Sequence, residues 1–196
     1  MSPNIDKTPI ELITTRRSVV AAKMSEPGPS DDQLKTIIEA GLRVPDHGRV
    51  GPWRIQIVRK QAQGRLGELY AELFIEDNPE APGDLVEFNR QRPLRAPIML
   101  AVTFHPDPEV YVKVPRTEQM LSCGALCQNL LNGAHALGYV AQWLTEWPAY
   151  HAEVKKALGH DADTEIVGFV FIGSASEAPE ERQRVGAETV VSEWTG

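Results

Sequence analysis

Apolar and polar positions along the chain alternate between two periods, and the changes of period mark out the elements. In "TPIELITTRRS" (8–18), Thr8 and Glu11 have capping-box spacing and Pro9 takes the first helical position. Ile10, Leu12 and Ile13 are apolar, and Arg16, Arg17 and Ser18 follow at the helix end. "SDDQLKTIIEAGL" (30–42) repeats the design, with Ser30 and Gln33 as the box and Leu34, Ile37, Ile38, Gly41 and Leu42 as the stripe. Pro45 stops it. "WRIQIV" (53–58) alternates as a strand does. A third helix is predicted around Leu66, Leu69, Tyr70, Leu73 and Phe74, then a loop over 76–83 and a short helix in "DLVEFNRQR".

"APIMLAVTF" (96–104) is apolar without a break, which predicts a central strand. "HPDPE" reads as a turn. The longest helix runs from Arg116 to Leu137, with Leu121, Ala125, Leu126, Leu130, Ala134 and Leu137 making a buried spine that ends at Gly138. "YVAQWL" and "EIVGFVFIG" read as strands, and "AYHAEVKKALG" between them as a capped helix. From about residue 177 the tail is polar until "TVV" (189–191), a strand-like segment followed by Trp194, and reads as an arm that packs on something. No repeat or linker divides the chain, so residues 1–196 are expected to form one domain.

Composition narrows the function. With 196 residues, 42% hydrophobic and 24% charged, the chain suits a soluble globular protein with a real core. A net charge of −7 disfavours unspecific attraction to nucleic acid or anionic membrane, so an anionic ligand requires a local arginine cluster. The polar start "MSPNIDKTPIE" predicts no secretory signal, and no apolar run approaches the roughly 20 residues of a membrane span. Cys123 and Cys127, four apart on a helix, are expected to be reduced and buried, because helical stacking does not give bridge geometry. A cytoplasmic location follows as the expectation.

No dinucleotide fingerprint, P-loop, H-E-x-x-H or G-x-S-x-G occurs. The five histidines show no metal spacing, and no metal is expected. His105 and Asp107 share a turn without making a site; His151 and His160, near the ends of a short helix, are expected to be solvated. Three segments remain. Arg16, Arg17 and Ser18 offer forked donors suited to phosphate, or else a positive helix end that complements the dipole. "GLRVPDHGRVGPW" (41–53) packs Arg43, His47 and Arg49 among turn formers, as a surface turn or as a clamp. "AQWLT" (141–145) ends a strand as core or as a site wall.

Together these segments resemble the nitroreductase family of FMN-dependent oxidoreductases. "RRSV" resembles its first flavin motif, "AGLRVPDHGRVGPW" its second, and "KVPRTEQMLSCGALCQNLLNGAHALGYVAQW" its long central helix and following strand. "EIVGFVFIG" resembles its last core strand, and P-D-H with K-V-P-R-x-E-Q points to a small, compact branch. The chain departs from the commoner pattern at Gly51 and at Val19–Val20.

The resemblance implies an α+β fold, a mixed, mainly antiparallel sheet wrapped by helices, in an intertwined homodimer with FMN at the interface. Arg16, Arg17 and Ser18 are then expected on the flavin phosphate and pyrimidine edge, and Arg43 and His47 on the same flavin from the other chain. Trp143, Leu144 and Thr145 are expected to line the flavin. Arg182 and Arg184 are expected near its phosphate, and Gly133, Ala134, His135, Ala136, Leu137 and Gly138 near a nicotinamide nucleotide. The implied activity passes electrons from NADH or NADPH through FMN to a nitro, quinone or similar acceptor by a ping-pong mechanism. A flavin-binding or regulatory module without turnover, a reductive dehalogenase and a flavin-cleaving enzyme are the alternatives.

Overall fold

The computed structural model describes residues 7–175, 177 and 179–196; the first six residues of the polar start lie outside it. Both capping boxes form as the spacing predicts. The Thr8 side chain caps α1 (Pro9–Thr15), while its own N–H donates to Glu11 Oε2 at 2.8 Å. Ser30 and Gln33 do the same for α2 (Asp31–Gly41). There follow β1 (Trp53–Val58), α3 (Lys60–Asp77), α4 (Gly83–Arg90), β2 (Ile98–Phe104), α5 (Arg116–Ala136), β3 (Val140–Leu144), α6 (Ala152–Ala157), β4 (Glu165–Gly173) and α7 (Ala187–Val190). Short 3-10 turns lie at 21–23, 47–49, 92–95, 108–110 and 147–149.

The four strands form one sheet in the order β1-β2-β4-β3. The sheet, expected to be mixed and mainly antiparallel, is antiparallel in every ladder among the described residues. All seven residues of β2 are buried, which explains its unbroken apolar sequence: helices cover both faces. Alternate residues feed two cores. On one face Met99 and Ala101 meet Val19, Ala21, Tyr70, Val140 and Phe169. On the other, Leu100 and Val102 meet Leu34 and Ile37 of α2 and Leu126 and Leu130 of α5. Among the described residues no helix is long and apolar enough to cross a membrane.

The structure corrects several boundaries and faces. Helix α3 runs to Asp77, so the loop after it is 78–82. Leu42, at the end of the α2 stripe, is exposed. The spine is one-sided: Ser122, Cys123, Leu126, Cys127, Leu130 and Ala134 are buried, but Leu121 is 66% exposed and Ala125 only half-buried. The sheet and α2 cover one side of α5 and leave Leu121 open. In the tail, "TVV" is not a strand. Thr189 and Val190 belong to α7, closed by the Val191 N–H on Ala187 O at 2.8 Å, and among the described residues no strand pairs with them. Both cysteines are free and buried, and burial pushes each thiol up to about 12.

Candidate functional site

Helix α1 ends where Arg16 turns to extended backbone (φ −62, ψ 142), its N–H closing the helix on Leu12 O at 2.8 Å. The chain then leaves the helix axis carrying Arg16, Arg17 and Ser18 together. Arg16 is half-buried, and its Nη1 is buried with no hydrogen-bond partner. Burial, with the charges of Arg184 and Arg17, pushes the Arg16 pKa down. A cation held out of water beside two other cations is unfavourable unless an anion joins it. Arg17 donates from Nε to Glu180 O at 3.2 Å and pairs with Glu181 at 3.4 Å. Arg17, Ser18, Lys23 and Arg182 line one cleft of about 710 Å³, together with Glu177, Glu180 and Glu181 of the tail. The expected group of Arg16, Arg17, Ser18, Arg182 and Arg184 is therefore brought together, despite the separation in sequence and the negative charge of the whole chain.

Strand β3 is fastened to this group. Gln142 Oε1 accepts the Ala21 N–H at 2.6 Å, which holds the segment after Ser18 against the strand. Leu144 packs on the same face, in the core that contains Val19 and Ala21. Trp143 lies on the opposite face. Its Nε1–H donates to Val167 O at 3.1 Å, and a Cβ on Gly168 (φ 155) would overlap its indole, so that position requires glycine. Trp143 thus packs within its own chain.

Thr145, half-buried, leads into Glu146, which has φ 51 and ψ 177. The Glu146 carboxylate accepts from Arg92 at 2.5 Å and from Arg95 at 2.9 and 3.0 Å. Asn89 Oδ1 joins the network, accepting from Arg92 Nε at 2.6 Å and Trp147 Nε1 at 2.7 Å. Sequence reasoning did not single out Arg92, Arg95 or Glu146. The available signal was "RPLR": side chains three apart eclipse on a 3-10 turn and can grip one partner.

The second patch is the 42–52 loop. Gly48 (φ 70), Arg49 (φ 55) and Gly51 (φ 59) turn it, and Asp46 Oδ2 accepts the Gly51 N–H at 3.0 Å. Three bonds dock it on α5: Ser122 Oγ to Pro45 O at 2.7 Å, Asn129 Nδ2 to Arg43 O at 3.0 Å, and His47 Nδ1 to Glu118 Oε2 at 2.6 Å. The Arg43 and His47 side chains stay exposed. Glu118 lies in the first turn of α5, whereas Arg16 acts on His135 in the last turn. At 1.5 Å per residue these ends are about 25 Å apart. Within one chain, His47 is therefore not brought to Arg16; Arg43, anchored by its backbone at Asn129, lies nearer that end, about 9 Å along α5 from His135.

The 133–138 stretch is a packing seam. Ala134 and His135 are buried, Gly133 faces Ala40 and Ile37 of α2, and Gly138 (φ 87) closes the helix. Ala136 alone is exposed, so Ala134 and His135 offer no surface to a nucleotide. Burial first, then Arg16 and Lys7, push His135 down to about 4. The two histidines expected in solvent are half-buried. His151 Nδ1 accepts from Glu153 N–H at 3.2 Å to cap α6, and His160 bonds Gln56 at 2.8 Å with its ring 5.2 Å from His105.

A helix-wrapped antiparallel sheet with an arginine cluster beside an edge strand defines an α+β protein. The chain belongs to the nitroreductase family, whose model matches residues 13–174. A relative from Escherichia coli (strain K12) named "Putative NAD(P)H nitroreductase YdjA" is 32% identical over 169 residues, covering 84% of this chain and 87% of the relative. The fold matches a nitroreductase-like family protein from Bacillus cereus with a TM-score of 0.82 at 21% identity, covering 97% of each chain. It also matches a mutant of the FMN and NADPH-dependent nitroreductase NfnB from Sphigopyxis sp. strain HMH, with a TM-score of 0.76 at 21% identity over 97% of this chain and 100% of the other.

Proposed function

We propose that the protein is an FMN-dependent oxidoreductase that takes electrons from NADH or NADPH and passes them to a small nitro, quinone or similar acceptor. The observation that carries this reading is the buried, unpartnered Arg16 Nη1 among Arg17 and Arg184. The donor set fits a phosphate monoester: it is forked and permanently charged, and at Arg16 Nη1 it is buried without a partner. The absence of a dinucleotide fingerprint favours FMN over FAD. The fold neighbour NfnB, an FMN and NADPH-dependent nitroreductase, supports the same choice.

When bound, FMN supplies the two-electron chemistry, and no protein nucleophile is required. Arg16, Arg17, Arg182 and Arg184 hold the phosphate or pyrimidine edge, and Ser18 adds a hydroxyl. Positive charge fixed there before the reaction stabilises negative charge that develops on the reduced cofactor. Leu144 and Thr145 give the site a partly dry wall. Arg43 and His47 come from a second copy of the chain: within one chain the His47 anchor at Glu118 lies about 25 Å along α5 from His135, and both side chains face solvent. Apolar side chains left bare by this chain support that dimer: Ile10, Ile13 and Leu121 are 60–66% exposed and Trp194 is 89% exposed. They are the kind of surface that a two-fold interface covers.

Purification tests the reading directly. Yellow protein that releases FMN on heating and bleaches with NADH or NADPH supports it. FAD as the released species, or yellow protein that neither nucleotide bleaches, contradicts it. Initial rates with a nitroaromatic or quinone at several fixed concentrations should give parallel double-reciprocal lines, because donor and acceptor use one open face in turn.

A further inference from the structure

The turn after β3 holds a contradiction that its surroundings explain. Glu146 takes φ 51 and ψ 177, beside a region that only glycine occupies freely. A side chain there is unfavourable, yet this side chain is the most heavily bonded in its neighbourhood. Arg92 and Arg95, on one edge of a 3-10 turn, both grip its carboxylate. All three side chains are largely withdrawn from water, at 15%, 12% and 27% exposure. Asn89 orients Arg92 and also ties down Trp147, the residue after the strained one. A carboxylate held by two guanidiniums at low exposure is worth more than a surface pair, so it can offset backbone strain.

We infer that Arg92 and Arg95 are positioning residues: they hold Glu146 in its left-handed conformation and thereby aim the Thr145–Glu146 peptide at the bound cofactor. The inference rests on the flavin reading above and adds residues that this reading does not contain. Its geometry connects the clamp to the site. The φ of Glu146 sets which way the Thr145–Glu146 peptide faces. Thr145 leaves the strand that Gln142 fastens to the segment carrying Arg16–Ser18. The 92–95 turn itself packs against the 21–23 turn at the end of that segment. A clamp made only for stability would not need a residue that glycine would replace without strain.

Glycine supplies the test, because it adopts this backbone without a clamp. Three variants are compared with the parent: R92Q/R95Q, R92Q/R95Q/E146G and R92Q/R95Q/E146A. FMN affinity is measured by quenching of flavin fluorescence, and melting temperature is measured without flavin. R92Q/R95Q should bind FMN about tenfold more weakly, the loss expected when one strained residue relaxes. The glycine variant should recover most of that affinity, and the alanine variant should not. In the absence of flavin the glycine variant should also melt above the alanine variant. Unchanged affinity in R92Q/R95Q, or glycine performing no better than alanine in both measurements, overturns the clamp. If the double substitution does not fold, E146G against E146A in the parent chain decides it, with glycine expected to bind FMN more tightly. A parent chain that does not bind FMN contradicts the flavin reading instead, and the flavin-free melting order still judges the clamp.

Discussion

The two basic patches reach their positions by opposite means. At the C-terminal end of α5, the Arg16 patch is built from the inside: a half-buried guanidinium, a neutral buried His135 beneath it and a polar tail laid across Arg17. At the N-terminal end, the Arg43–His47 patch is built from the outside. Its backbone is bolted to α5 through Pro45 and Arg43, while its side chains remain in solvent. In the first patch Arg16 Nη1 is buried without a partner, although Arg17 pairs with Glu181; in the second, His47 is already paired to Glu118. The difference shows why neither patch alone is a flavin site. One supplies charge without a lid, and the other supplies rigid exposed donors with nothing to close on. In the proposed site, the closure comes from a second copy.

Acid should separate the ends most strongly. His135 is pushed down to about 4 from an ordinary 6.5, so between those values the unfolded chain binds a proton that the folded chain refuses. Stability therefore rises with pH through this window and is lost as pH falls from about 6.5 towards 4, by about 3 kcal/mol. Melting curves at successive pH values should show that slope, and His135→Gln should flatten it. An equally steep slope in the variant would place the acid-sensitive group elsewhere.

Next in size is the cofactor itself. Arg16→Ala should weaken FMN binding by about 1.5–3 kcal/mol, the worth of a charge-assisted hydrogen bond, with the fold intact because the residue caps a helix end. Calorimetric titration with FMN measures this. Unchanged affinity would make Arg16 only a partner of the helix dipole. His47→Ala should cost less, about 0.5–1.5 kcal/mol, since an exposed donor gives up little on desolvation. A larger loss there than at Arg16 would reverse the ranking of the patches. Glu118→Ala should be the mildest, changing stability by about 0.5 kcal/mol or less as an exposed pair does. A destabilisation well above that would mean the loop is not held by its backbone bonds.

Local physics made most of the fold readable. Thr8–Glu11 and Ser30–Gln33 are capping boxes in sequence and in space, and the unbroken run of β2 reads as a central strand because both its faces are covered. What escaped depends on distant parts of the chain. Leu121 has the same character as Leu126; only the placement of the sheet and α2 decides that one is bare and the other buried. Nothing marks Glu146 as a left-handed residue, because its partners lie some fifty positions earlier. The basic cluster was legible in kind at "RRS", where two arginines and a serine are adjacent. At 133–138 the small residues serve close helix packing, which buries Ala134 and His135, as readily as they would serve ligand contact.

The central claim is that each flavin site takes Arg16 and Ser18 from one chain and Arg43 and His47 from the other. A mixed dimer tests it most directly. One chain carries Arg16→Ala and the other His47→Ala, each shown to fold and to bind FMN weakly as a homodimer, and the two are co-expressed with different tags and isolated together. Shared sites place both lesions in one site and none in the other, so the mixed dimer should hold about half the normal flavin at full affinity, a consequence of two-fold symmetry. A mixed dimer that binds no better than its parents would contradict the account, because each site would then be made within a single chain.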